Sequence, residues 1–453
     1  MGNILTTLLN SANALEVYGS VFATIQNNVT NAHTPGYVKQ DQSLAPLPFD
    51  PSAGLSGGVI AGPLISARSE YAEQSVRNQQ EQLGSAQQKA ADLGQVEPLF
   101  SLASGSGVPG ALNKFFDSFS QLSVNPNDRV SRQAVIDAAG QVAQEFHQNA
   151  AGIAAVSANA DNQTRDAVGT INRIAGQLAT LNRHFQQNIQ ASQDAGLDAQ
   201  VHAALENLSQ AANFTVLKAS NGAYSVYLGG QTPLVIGSDQ FNVSADFSSL
   251  QTVIRDSQGN DITSQIGSGQ LGALLEEKNT TLPGYRDSLN TLAQAFADTV
   301  NGALAQGVDK NGNPPAVNLF TYDPAAGAAY SLAAGAITPD QIAAALPTAP
   351  GGNGNAIAMA ALSTQPSLNG LTFTQAYGNL GGQVGRDVAN ARQEQAARQN
   401  MLAQAQAQRA SQSAVSLDEE AAKLLQFQQA YQAVGKLVTT LNSLTQTLMN
   451  IIP

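Results

Sequence analysis

Two stretches of the chain have the spacing to cradle a phosphate. Gly105-Ser106-Gly107-Val108-Pro109-Gly110 and Gly267-Ser268-Gly269-Gln270-Leu271-Gly272 both fit G-x-G-x-x-G, in which glycines let a tight turn bring backbone N–H groups and a helix N-terminus against a pyrophosphate. Context argues against both. The first has no strand before it. The second has Asp287 about twenty residues on, but in a helical pattern and not at the end of a parallel strand, so both read as glycine linkers ahead of helices. Asp309-Lys310-Asn311-Gly312-Asn313 begins like a calcium loop, yet its glycine falls too early and Phe320 stands where the bidentate Glu belongs; a turn is the simpler reading. His33, His147, His184 and His202 are scattered, none in H-E-x-x-H, and there is no G-x-S-x-G elbow. His147 and His184 read as surface positions of a long helix. No cysteine is present, which excludes disulfides and thiolate zinc sites. No catalytic, cofactor-binding or metal-ligating residue is assigned, and the chain is expected not to be an enzyme.

If side-chain chemistry is absent, the interest passes to surfaces. The 453 residues suffice for two to four domains. Only 12% of them are charged, and the formal net charge of −12 argues against nucleic acid as a partner. No apolar run is long enough to span a bilayer. No Lys or Arg precedes Lys39, so a secretory signal would lack its positive region, and the N-terminus is expected to be retained.

Both ends of the chain carry the same pattern. Ser416-Leu417-Asp418-Glu419 is a helix start, with a Ser cap, a Glu three residues on and acidic residues in the first turn. Leu424, Phe427, Tyr431, Val434, Val438, Leu441, Leu448 and Ile452 then recur at steps of three and four, with Thr445 the polar exception. Leu437, Leu444 and Ile451 widen the stripe, and Lys436 is the only charge after Lys423. At the other end Ile4, Leu8, Leu15, Tyr18, Phe22, Ile25 and Val29 form a heptad with Ser11 as the polar exception, and Glu16 is the only charge before Lys39. Burying one such side chain is worth roughly 1.5–3 kcal/mol. Stripes this wide, with so little charge, are expected to pack between subunits. Membrane-surface helices would carry a Lys/Arg-rich polar face, which these lack. The first helix should end near 28–31, where Pro35-Gly36 forces a turn.

Asn31, Thr34, Pro35, Gly36 and Tyr37, following an amphipathic N-terminal helix, resemble the signature of flagellar axial proteins, the rod, hook and hook-associated subunits. His33 stands where that signature usually has a second Asn. Ser416-Leu417-Asp418-Glu419-Glu420-Ala421-Ala422 followed by Phe427-Gln428-Gln429-Ala430-Tyr431-Gln432-Ala433, and the run from Leu112-Asn113-Lys114-Phe115-Phe116 through Asn125-Pro126 to Arg132-Gln133-Ala134-Val135, are similar to the hook-associated branch. The resemblance spans nearly the whole chain and is weakest over 311–355.

Between the ends, Ser66 to about Val96 is polar and helical in propensity. Ala111–Leu122 is a short amphipathic helix, with Leu112, Phe115, Phe116, Phe119 and Leu122 on one side. Arg129 to about Ile189 reads as one helix. Its seam runs Val135, Ala139, Val142, Phe146, takes a stutter to Ala150, and continues Ile153, Ser157, Ala160, Thr164, Ala167, Ile171, Ile174, Leu178, Leu181, Phe185; here ordinary intramolecular core is the better reading. Phe214–Lys218, an Asn221-Gly222 turn and Ala223–Leu228 read as a hairpin, followed by short strands at 234–236, 240–244, 252–255 and 261–263. Leu275, Leu282, Leu289, Phe296 and Ala303 sit seven apart, with Pro283-Gly284 expected to kink the helix near its start. Residues 311–355 read as an irregular outer excursion that could be deleted, with Thr338-Pro339-Asp340-Gln341 starting a short helix and Pro347 stopping it. Phe373–Ser413 is helical.

The expected architecture is mainly α with a small antiparallel β insert, elongated and multi-domain. Its segments are an axial helix and turn (1–60), a helical bundle (61–212), a β domain (213–268), a returning helix (269–310), the excursion (311–355), a bundle helix (356–413) and a C-terminal axial helix (414–453). The terminal segments are expected to come together at one end, with the β domain at the other. The resemblance implies a structural adaptor between flagellar hook and filament, without cofactor, placed outside the cell by flagellar type III export with no cleaved signal. It implies a ring of identical subunits, with hook protein, the second junction protein and an export chaperone on the C-terminal helix as partners, and no nucleic acid or membrane insertion. Two alternatives stay open: a rod or hook subunit, against which the long helix from Arg129 speaks, and a surface enzyme or adhesin using flagellar ends as an export tag, which would need a site in the middle of the chain.

Overall fold

A computed structural model describes residues 2–50, 55–101, 105–188 and 194–451. In chain order the elements are α1 (Gly2–Asn31), β1 (Gln40–Pro46), β2 (Phe49–Asp50), β3 (Leu55–Ser56), β4 (Val59–Ser66), α2 (Glu70–Val96), α3 (Gly107–Val124), α4 (Arg129–Gln187), α5 (Ala195–Ala211), β5 (Phe214–Lys218), β6 (Tyr224–Leu228), β7 (Thr232–Ile236), β8 (Asp239–Gln240), β9 (Ser244–Asp246), β10 (Val253–Arg255), α6 (Gly269–Glu276), α7 (Leu282–Leu304), β11 (Phe320–Thr321), α8 (Ala328–Ser331), β12 (Ala333–Ala334), α9 (Gly354–Ala361), α10 (Phe373–Ser413) and α11 (Leu417–Ile451). The fold is mainly helical with small antiparallel sheets, as expected. It divides into two compact units: residues 1–82, 171–242 and 399–453, and residues 83–170 with 243–398.

The first unit joins both chain ends to a four-stranded sheet in the order β5-β6-β7-β8. The alternation of Tyr224, Val226 and Leu228, all buried, against half-buried Ser225 and Tyr227 sets the inward face of β6. Ile171, Ile174, Leu178, Leu181 and Phe185 of α4, seam positions expected to be core, are buried, and the Phe185 ring lies 6.5 Å from that of Tyr224 on β6. This sheet shares a unit with the terminal helices, while β9 and β10 belong to the other unit. The strands expected as one β domain over 213–268 are thus divided between the two units. The expected boundary at residue 60 falls inside a strand. It cuts β4, which pairs with β1 from Gln40↔Ser66 to Pro46↔Val59 around a bulge.

The second unit is built on an aromatic cluster. Phe296 of α7 sits with its ring centroid 5.5 Å from that of Phe115, 5.0 Å from Phe320 and 5.3 Å from Phe373, all near edge-to-face. Phe320 lies within the stretch read as an outer excursion. That reading is overturned: Leu319, Phe320, Ala328, Ala329, Leu332, Ile337, Ile342, Ala343 and Ala344 are all buried in the same core. Thr338 and Gln341 form a capping box where a short helix was expected to start, but only a 3-10 turn follows, Pro339–Gln341. Ile342, Ala343 and Ala344 then run on, buried in succession, into the core. The buried Arg132 guanidinium pins this stretch, donating to the carbonyls of Pro339 (3.2 Å) and Ile342 (2.7 Å) while its Nε reaches Pro126 (2.7 Å).

Among the described residues one device occurs four times. A helical Asn amide takes the place of a strand, accepting from and donating to the backbone of a single residue: Asn28 to Gln40, Asn182 to Tyr224, Asn279 to Thr252 and Asn301 to Phe320, all at 2.7–3.0 Å. Each amide supplies one donor and one acceptor, so it closes one rung of a ladder and satisfies groups that burial would otherwise orphan. Asn182→Ala is expected to destabilise the first unit by at least about 2 kcal/mol, because the Tyr224 N–H loses its partner. Urea unfolding followed on the sheet would show a lower midpoint at unchanged slope.

The kink expected at Pro283-Gly284 takes the form of a π-turn, Glu277–Thr281, just before Pro283. The wider turn makes room for the proline ring against the preceding carbonyls. It also turns Glu277 inward. Its carboxyl is pushed up to about 9, first by burial, then by the neighbouring Asp92 carboxylate. Asp92 is held by Gln88 Nε2 (2.7 Å) and Gln163 Nε2 (3.3 Å). The folded state keeps this proton where the unfolded chain has lost it. The contribution of Glu277 is thus fully present below the ordinary Glu range and lost as pH rises toward 9. Glu277→Gln is expected to match the wild type near pH 5 and to melt at a higher temperature at pH 8–9; identical pH profiles of the melting temperature would exclude this account.

Candidate assembly interface

α1 and α11 pack on each other. The Tyr18 and Phe427 ring centroids are 5.8 Å apart, and those of Phe22 and Tyr431 5.9 Å. The expected seam is thus closed in large part within one chain. Ile25 is buried, and Ile4, Leu8, Leu15, Tyr18, Phe22, Leu424, Phe427, Val434, Val438 and Leu441 are half-buried. Val29, Tyr431 and Leu448 stay exposed, and Ile452 lies outside the described residues. A second stripe of α1, which the heptad reading did not single out, is more deeply covered, Ala14, Val17, Val21 and Asn28, together with Ser11, the heptad's polar exception. It meets the β1–β4 hairpin, with Asn10 Nδ2 donating to Ser56 Oγ (2.6 Å) and the Gly57 carbonyl (2.7 Å) near the tip. The hairpin was not foreseen from the sequence. Its signal was present in Val59-Ile60 and Leu64-Ile65, but the glycines and prolines between 46 and 63 masked the alternation.

The base of the helix pair is a polar knot. Asn28 Nδ2 donates to Glu420 Oε2 (3.1 Å) as well as to Gln40, and Tyr37 OH donates to Asn28 Oδ1 (2.8 Å). Burial, then the Glu420 carboxylate, pushes the Tyr37 hydroxyl up to about 12, so it remains a donor. Glu420 is itself fully buried in the first turn of α11. Ser416 caps that turn, but Glu419 does not complete a capping box; it pairs with Lys39 at 3.3 Å. The Lys39 N–H donates to the Ser413 carbonyl (2.9 Å), and Lys423 pairs with Asp41.

The turn residues have structural work. Thr34 and Asn31 hydrogen bond to each other and Asn31 back to Asn27. Gly36 has φ +76°, and a Cβ there would stand 2.4 Å from the Ala199 carbonyl oxygen of α5, so only glycine lets the turn lie on that helix. Arg68 locks it, donating to the Gly36 carbonyl (2.6 Å) and pairing with Asp198 (2.6 Å) and Glu73. Arg409 joins Glu73 (3.1 Å) to Glu206 (2.8 Å). His202, buried among these groups, is pushed down to about 2 by burial and then by the surrounding cations, and is neutral. An adjoining cavity of about 460 Å³ is lined by Arg68, Glu70, Asp198, Lys218 and Tyr224 among others. Its charges are already engaged: Arg68 with Asp198, Glu70 with Arg77, and Lys218 over the Tyr224 ring.

The residues with possible chemistry fall elsewhere. Both G-x-G-x-x-G stretches are helix starts of one design. Gly107 and Gly269 have positive φ, and Gly110 and Gly272 bring the first turns of α3 and α6 so close to Gly105 and Gly267 that a Cβ would clash with that backbone. Asp309 accepts from the N–H groups of Asn311 and Asn313, both at 2.8 Å, as a plain turn. His33, His147 and His184 are exposed. Among the described residues no three potential ligands converge on a metal position, and no helix is long and apolar enough to cross a membrane.

Comparison with known proteins agrees with this architecture. Residues 93–320 match the family model described as the flagellar hook-associated protein FlgK helical domain, and residues 406–451 that of the flagellar basal body rod FlgEFG protein C-terminal region. Flagellar hook-associated protein 1 of Bacillus subtilis is 25% identical over 96% of this chain and 96% of its own length. That of Escherichia coli is 23% identical over 99% and 100%, and that of Salmonella typhimurium 26% identical over 68% and 58%. The solved structure of the flagellar hook junction protein FlgK from Burkholderia pseudomallei superposes with a TM-score of 0.67 at 17% identity, covering 76% of this chain and all of that one. A chain whose first and last helices pair and whose middle is this helical domain is a structural subunit of the flagellum. It belongs to the flagellar hook-associated protein FlgK family.

Proposed function

We propose that the chain is the adaptor that joins the hook to the filament and that it acts as a ring of identical subunits, between hook protein on one side and the second junction protein on the other. The observation that carries this reading is the α1–α11 pair: it is closed within the chain, yet Leu5, Leu9, Leu425, Leu437, Leu444 and Met449 remain exposed on its outer sides. Apolar faces of this extent are covered in a subunit interface, and a repeating heterologous interface can run around a tube. The half-buried seam residues, Val29, Tyr431 and Leu448 extend that interface. The C-terminal helix is also the segment an export chaperone would hold before secretion through the flagellar type III apparatus, and the assembled chain works outside the cell. The match of 406–451 to rod proteins covers only the end of α10 and α11; the 59-residue α4 and the hook-associated match over 93–320 favour the junction over the rod. Electron microscopy of a strain lacking the chain tests the proposal. Hooks without filaments, with filament protein in the medium, are expected; intact filaments would refute it.

A further inference from the structure

α1 carries a second heptad on its outward side. Leu5, Leu9, Ala12, Glu16, Gly19, Ala23, Gln26 and Thr30 step by four and three, and every one is exposed; Leu5 is 61% and Leu9 57% accessible. At 3.6 residues per turn Glu16 lies about 160° around the helix from Tyr18, the residue that touches α11. This stripe is therefore turned away from α11. It is also distinct from the buried positions, Ala14, Val17 and Val21. α11 has its own bare stripe, Ala433, Leu437, Thr440, Leu444 and Leu448, and exposed Lys436 lies at its edge, about 60° around the helix from Ala433.

The charges of the two helices are single and opposite. Glu16 is the only charged residue of α1, and Lys436 the only one of α11 beyond Lys423. Neither has an ion-pair partner among the described residues. A lone charge on a helix face that becomes buried must find its opposite or destabilise the contact. A charged position in a helix seam also fixes its register, because a slip of one heptad would strand both charges.

We propose that the outward face of α1 docks the bare stripe of α11 in a second copy of the chain, with Glu16 of one copy paired to Lys436 of the other. The proposal rests on the assembly reading above and adds the partner surface and its register. A water-filled channel along α11 would instead leave Lys436 hydrated, and its charge would then be immaterial.

The chain has no cysteine, so an introduced pair is unambiguous. Two forms, Glu16→Cys and Lys436→Cys, are expressed together in a strain lacking the wild-type chain, and isolated flagella are oxidised. A reducible dimer is expected with the mixture and not with either form alone; flagella that contain both forms and give no dimer overturn the proposal. As a second arm, Glu16→Lys and Lys436→Glu are each expected to reduce swimming at least several-fold, and the double exchange to recover most of it. Single variants that swim like wild type, or a double exchange no better than the worse single, also overturn the docking. Either result, in a strain whose filaments the wild-type chain restores, leaves the adaptor reading standing. A deletion strain that keeps its filaments refutes the adaptor reading itself.

Discussion

Removal of residues 311–355 is expected to abolish the cooperative melt of the second unit. The stretch supplies Phe320, which stacks edge-on against Phe296 and Phe115, and it brings Leu319, Ile342, Ala343 and Ala344 into the same core. Phe320→Ala alone is expected to cost about 3–5 kcal/mol, counting the lost transfer energy and the cavity left behind. Whole domains are stable by only about 5–15 kcal/mol, so loss of the entire stretch should exceed what the unit can absorb. Circular dichroism melts of the deletion should lose their sigmoidal form. A deletion that melts cooperatively within a few degrees of wild type would return this stretch to the surface.

The second large effect is expected at Val438→Asp, and it should appear in assembly. Val438 is half-buried on α11, in the seam with Val434 and Leu441. In the free chain the exposed side of the helix pair lets a carboxylate reach water at modest cost. In a closed interface the same carboxylate is buried without a partner, at several kcal/mol in every copy. Cells carrying the variant are expected to make hooks, shed filament protein and fail to swim. The melt of the second unit, which holds no residue of α11, should stay within a few degrees of wild type. A chaperone pull-down separates failed export from failed assembly. A variant that swims normally would remove this face of α11 from the interface.

Legibility in the sequence followed the range of the forces. The α4 seam from Val135 to Phe185, with its stutter at Ala150, was readable because heptad spacing is local, and of its fifteen positions only Ser157 is not fully buried. The Asn221-Gly222 hairpin was readable for the same reason: the turn chemistry is in two adjacent residues. The glycine of the Thr34–Tyr37 turn was legible as a signature but not in cause, since the Ala199 carbonyl it touches is far along the chain. The core role of Phe320 was hidden. An alanine- and glycine-rich stretch has no period, and the ring partners of Phe320, Phe115 and Phe296, lie on two separate helices. The helical Asn residues that stand in for strands were invisible for a related reason: an Asn reads as a turn former until its strand is in place. At the interface the notable point is the opposite one. The seam read as intermolecular is largely internal, and the stripe through Glu16, with its weaker apolar content, is the one left bare.

The hydrogen bond from Asn28 to Glu420 spans 392 positions of the chain, and this sets an order of events in time. The second unit, whose residues all lie between 83 and 398, has its complete complement before the last 55 residues exist. The first unit needs residues 399–453 and cannot close until they arrive. At a synthesis rate of about 5–20 residues per second, α1 waits for its partner helix on the order of tens of seconds. Throughout that interval the knot of Asn28, Tyr37 and Gln40 lacks its Glu420. Whatever occupies α11 as it emerges, whether α1 or another molecule, therefore decides whether the newborn chain closes on itself or stays open.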